Sequence, residues 1–72
     1  MSFPERLQAL QKERKVTKKN VFQSIGMSKA GYYLYEQGER EPTLSKLVAL
    51  SNFFNVSIDY LVGRTNNPQI AK

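Results

Sequence analysis

Four hydroxyl residues, Thr17, Ser28, Thr43 and Ser57, each stand directly before a short stretch whose apolar residues recur every three or four positions. A Ser or Thr in that place accepts a hydrogen bond from the free N–H groups of a helix's first turn, so each marks a helix start. Gly26, Gly38, Asn55 and Gly63 close the same stretches. Glycine and asparagine tolerate the left-handed conformation in which helices commonly stop. No window alternates as a strand would. The expected fold class is therefore all-α, built from five short helices.

The 72 residues give room for one small domain, and no cysteine is present to staple it. That composition suits a reducing compartment, and the cytoplasm is the expected location. Histidine is absent too. Soft and imidazole metal sites are thus excluded, and the commonest general base is missing. No enzyme activity, metal or cofactor is expected. No run approaches the ~20 apolar residues of a membrane helix. The opening MSFPERLQAL puts a proline and a glutamate where a signal peptide would be apolar. The net charge of +5 and sequence pI near 9.8 point to a polyanionic partner, nucleic acid first, with simple solubility as the plainer alternative.

The first helix is expected from about Pro4 to Arg14, with Phe3, Leu7 and Leu10 along one stripe. The second, KKNVFQSI, buries Val21 and Ile25. The third runs from its cap Ser28 to Gly38, with Tyr32 and Tyr35 inward. The fourth, LSKLVALSNFF, presents Leu44, Leu47, Val48 and Phe54 to the core. A short fifth helix, IDYLVG, ends the domain at Gly63. Residues 1–63 form the expected domain, and 64–72 a flexible C-terminal tail. The turn between the second and third helices has the spacing of a helix-turn-helix. At its entrance Lys12, Arg14, Lys15, Lys18 and Lys19 face only Glu13. A helix N-terminus with lysines around it holds anions well, although such runs are usually only solvated.

Three segments, RLQALQKERKVT, SIGMSKAGYYLYEQGEREPTLSKLVAL and NVSIDYLVG, resemble the lambda-repressor and Cro type of DNA-binding domain, the XRE family. YEQGEREP and VSIDYLVG carry the most specific likeness. The resemblance implies a five-helix DNA-binding domain, a homodimer on a palindromic operator in double-stranded DNA, and transcriptional regulation. It implies phosphate contact at the start of the second helix, around Thr17, Lys18 and Lys19. It puts Lys29, Ala30, Tyr33 and Leu34 at base-facing sites behind the cap Ser28. Thr43 takes a backbone-contact site, with Arg40 and Lys46 as nearby cations.

The chain departs from the family's pattern in places. The reading face has few hydrogen-bonding groups: Ala30 and Leu34 can meet only thymine methyls, and Tyr33 offers one hydroxyl. Phe22 stands where the family has a small residue, and its ring is expected to fill space vacated at Gly31. Glu36 faces Gln11 where relatives have an arginine, so a hydrogen bond or another partner must serve it. Glu39 and Glu41 flank Arg40 in a loop that would lie near phosphate. Phe53 is expected either to widen the core or to join Ile58 and Leu61 in an exposed apolar patch for dimer contact.

The favoured reading is a sequence-specific DNA-binding regulator that represses by occupying its operator. A protein-interaction module on the same fold is the alternative, motivated by the apolar reading face. An antitoxin-like regulator is a third, although residues 64–72 are short for a toxin-neutralising arm.

Overall fold

The computed structural model describes residues 1–70. Over these it contains five α-helices and no strand: α1 Phe3–Arg14, α2 Lys18–Ser24, α3 Lys29–Gln37, α4 Leu44–Phe54 and α5 Ile58–Leu61. The hydroxyls of Thr17, Ser28, Thr43 and Ser57 accept from the N–H groups of Asn20, Gly31, Lys46 and Tyr60, at 3.1, 3.1, 3.3 and 3.0 Å.

The five helices end in one way. An N–H two or three places beyond each end reaches back five residues to a carbonyl, as in Val16 to Gln11, Met27 to Phe22, Glu39 to Leu34, Val56 to Ser51 and Arg64 to Asp59. This closure needs a left-handed residue just before that N–H. Gly26, Gly38, Asn55 and Gly63 supply it as expected, with φ of 71, 75, 56 and 82°. Lys15 supplies it after α1 with φ 54°, an unusual conformation for a side chain of that type.

Leu7, Leu10, Val21, Ile25, Tyr32, Tyr35, Leu50, Phe54, Val56 and Leu61 form the core. α1 packs on α3 and α5, α2 on α3 and α4, and α4 on α5. The inner face of α4 differs from the expected one. Leu44 and Val48 are 73% and 43% exposed, whereas Leu50 and Phe54 are buried. Lys46, Leu50 and Phe54 share a stripe at four-residue spacing, which faces the body, so Leu44 and Val48 fall on the opposite side.

Contacts also continue past Gly63. Arg6 is buried in α1, with its guanidinium carbon 3.8 Å above the Tyr60 ring centre. Its Nη2 donates to the Thr65 carbonyl and to Asn66 Oδ1 at 3.3 and 3.2 Å. Ser57 N–H donates to the Pro68 carbonyl at 2.9 Å. These bonds return residues 65–68 to the body, which the sequence pattern gave no reason to expect. Ala71 and Lys72 of the expected tail lie outside the described residues.

Candidate nucleic-acid interface

The helix-turn-helix consists of α2, the turn from Ile25 to Ser28, and α3. Two long-range contacts hold it. Lys46 Nζ of α4 donates to the Ile25 carbonyl at 2.7 Å and approaches that of Gly26 at 3.5 Å. Carbonyls at a helix C-terminus carry partial negative charge and lack partners within the helix, so an ammonium there is well matched. Lys46, expected as a cation near the backbone-contact site at Thr43, is thus engaged inside the motif.

The second contact is a buried polar chain. The Tyr32 hydroxyl donates to Gln11 Oε1 at 2.6 Å. Gln11 Nε2 donates to Glu36 Oε2 at 3.3 Å, and Lys18 Nζ lies 3.3 Å from the same oxygen. Gln8 Nε2 donates to the Glu36 backbone carbonyl at 3.2 Å. Burial, and then the negative charge of Glu36, push the Tyr32 phenol far above the usual tyrosine range. Glu36 therefore has both partners weighed from sequence, the Gln11 amide and a second group. The second group is Lys18, the residue expected at phosphate. Its side chain keeps 65% of its exposure while that of Glu36 keeps 5%, so the ammonium remains open to an anion.

α3 divides cleanly. Gly31, Tyr32, Tyr35 and Glu36 are buried. Lys29, Ala30, Tyr33 and Leu34 line one shallow, almost wholly apolar depression on the outer side. Tyr33 is 55% exposed. The base-facing candidates are therefore brought together. Thr17, Lys19, Ser28 and Thr43 are exposed at the starts of α2, α3 and α4. Arg40 turns back along α3: its Nη1 is 3.8 Å from where a Cβ would stand on Gly31.

That placement corrects the expected role of Gly31. The atoms nearest such a Cβ belong to Met27, Ser28 and Arg40, at 3.2, 3.3 and 3.8 Å, and the Phe22 ring is not among them. Phe22 instead tilts against Tyr32, with ring centres 6.1 Å apart. A side chain at 31 would crowd the turn and Arg40, not α2. The expected dimer patch is corrected as well. Leu61 is fully buried in the core, because the single turn of α5 presses it inward, while Phe53 and Ile58 are half-buried. Phe53 meets Phe54 edge-on at 4.9 Å.

Sequence reasoning missed Lys46 on the turn and the Lys18–Glu36 pair. Neither has a signal in local spacing, since the partners are 21 and 18 positions apart.

Comparison with known proteins agrees with this geometry. A family model described as "Helix-turn-helix" matches residues 7–61. The HTH-type transcriptional regulator YobD of Bacillus subtilis is 39% identical over 66 residues, which are 92% of this chain and 59% of that protein. The cryptic phage CTXphi transcriptional repressor RstR of Vibrio cholerae is 38% identical over 64 residues, 89% of this chain and 57% of that one. The chain thus spans under two thirds of the length of these curated relatives. Among solved structures, the P22 c2 repressor in complex with synthetic operator 9T is similar with a TM-score of 0.79 at 31% identity, over 86% of this chain and 94% of that one. A transcriptional regulator from Listeria innocua is similar with a TM-score of 0.80 at 32% identity, over 86% of this chain and 58% of that one.

Proposed function

This chain belongs to the helix-turn-helix family, and from that premise we propose that it is a sequence-specific, double-stranded-DNA-binding regulator that represses transcription as a homodimer in the cytoplasm. One observation carries the reading. The inner face of α3 is locked to the body, and Lys29, Ala30, Tyr33 and Leu34 are left together on its outer face. A helix held that way can enter a major groove without distorting the domain beneath it. The solved operator complex of a repressor with this fold supports the same use.

In this reading Lys18, Lys19 and Arg40 meet phosphates, and the exposed helix starts at Thr17, Ser28 and Thr43 lie against the backbone. Lys46 serves from behind by fixing the turn. Lysine contacts release counterions and supply most of the affinity. Two copies joined through Phe53 and Ile58 would present their α3 helices to successive major grooves, about 34 Å apart. Occupancy of that site excludes polymerase.

Selection from random-sequence duplex DNA tests the proposal. The expected outcome is a shared palindromic site, bound with an affinity that falls with salt at a log–log slope of ~0.9 per phosphate contacted. Lys19→Ala lowers that slope by about 1. Recovery of no common sequence, with binding insensitive to salt, refutes it. The apolar lining of the α3 depression favours a second reading, a module that binds another protein through α3. A shared palindrome excludes that reading.

A further inference from the structure

A glycine inside a helix weakens it relative to alanine, so Gly31 within α3 needs a reason. Backbone conformation does not supply one, because Gly31 is not among the glycines with positive φ. Close packing of another helix does not supply one either. The three atoms nearest a Cβ at 31 are side-chain atoms of Met27, Ser28 and Arg40, at 3.2, 3.3 and 3.8 Å. Arg40 raises the converse question. Glu39 and Glu41 flank it in sequence, and either carboxylate could hold its guanidinium. Among the described residues the one ion pair is Lys18–Glu36, so neither carboxylate takes it. The Arg40 side chain reaches back to Gly31 instead, and the residue stays exposed. A guanidinium without a carboxylate keeps its charge and its fork of N–H donors for another anion.

We infer that Gly31 is a positioning residue for Arg40. Its missing side chain leaves a slot on α3 in which the guanidinium lies. That placement draws the charge away from Glu39 and Glu41 and toward the first turn of α3, beside the Ser28 side chain. The inference rests on the DNA-binding reading above and deepens it. The anion that Arg40 meets is then a backbone phosphate of duplex DNA. Gly31 is itself buried, and sets the reach of that contact without making one.

Binding to the duplex recovered by selection is followed by fluorescence anisotropy over a range of salt. Arg40→Ala should weaken binding about tenfold, the scale of one charge-assisted hydrogen bond, and lower the log–log salt slope by ~0.9. Gly31→Leu fills the slot and should reproduce both changes. The double variant should lose no more than either single one. Gly31→Ala is the control: its Cβ would stand 3.8 Å from the guanidinium, an ordinary contact, and it should keep the parent's slope. A glycine with a merely structural role would weaken binding equally with or without Arg40, at an unchanged slope. In the unsubstituted chain, nuclear Overhauser contacts should join the Gly31 α-protons to the Arg40 side chain, a measurement that requires no variant to fold. Absence of those contacts overturns the inference. So does a folded Gly31→Leu protein with the parent's slope, or losses that add in the double variant. In each case the DNA-binding reading stands. A parent chain that binds no duplex overturns both.

Discussion

Replacing Tyr32 by phenylalanine removes one oxygen atom and tests the buried polar chain that ties α1, α2 and α3 together. The hydroxyl is 2.6 Å from Gln11 Oε1, and the two residues are 1% and 7% exposed. Phenylalanine fits the same space, so the loss is one of hydrogen bonding and not of packing. The Gln11 oxygen is left buried without its donor, while Gln11 Nε2 keeps Glu36. Orphaning a buried neutral acceptor costs ~1–3 kcal/mol. With the second Gln11 bond intact, ~1.5 kcal/mol is expected, which in a domain of this size lowers the melting temperature by about 6–12 °C. Thermal and urea unfolding followed by circular dichroism measure it, with Tyr33→Phe as an exposed control expected within ~0.5 kcal/mol of the parent. The pH dependence gives an independent check. Burial and Glu36 raise the folded-state pKa of Tyr32 above its unfolded value. Its contribution is therefore full below about pH 10 and is lost as pH rises from there toward the folded value, because the unfolded chain releases the proton first. The stability gap between the parent and Tyr32→Phe should stay constant up to about pH 10 and narrow above it. A variant as stable as the parent at neutral pH, or a gap that stays constant on the alkaline side, refutes the reasoning.

Three further substitutions probe how α4 is used. Lys46→Met keeps the aliphatic stem but removes the donor to the Ile25 and Gly26 carbonyls, and should cost ~1–2 kcal/mol in urea unfolding with an unchanged m-value. Leu50→Ala should destabilise by ~2–5 kcal/mol, because the side chain is fully buried. Val48→Lys, on the exposed side, should stay within ~0.5 kcal/mol; the reverse order would restore the face expected from sequence.

Local chemistry carried most of the fold into view. A cap hydroxyl and the N–H it accepts from are three residues apart, so Thr17, Ser28, Thr43 and Ser57 declare their helices without reference to anything distant. Glycine stops do the same, and Lys15 escaped notice because its side chain does not advertise a left-handed backbone. The face of a helix is harder to read. In α4 apolar residues stand nearly all the way round, so periodicity alone leaves the inner side open, and the contacts with α2 and α5 decide it. Leu61 shows the same limit in a helix of four residues, too short for a stripe to form. The outer residues of α3 were found together because one helix positions them. The partners of Lys18, Lys46 and Arg6 come from other helices, from the turn after α2 or from beyond Gly63, and only the packed chain brings them into reach.

The division of α3 into two faces has a consequence for how such a chain can change over time. Gly31, Tyr32, Tyr35 and Glu36 carry the attachments of the helix to its scaffold, and Lys29, Ala30 and Tyr33 carry none of them. Exchanging exposed residues away from structural features alters stability by only ~0.5 kcal/mol. Target preference can therefore drift by single substitutions while the scaffold stays in place. A duplicated copy of this chain could acquire a new address on DNA without first acquiring a new fold.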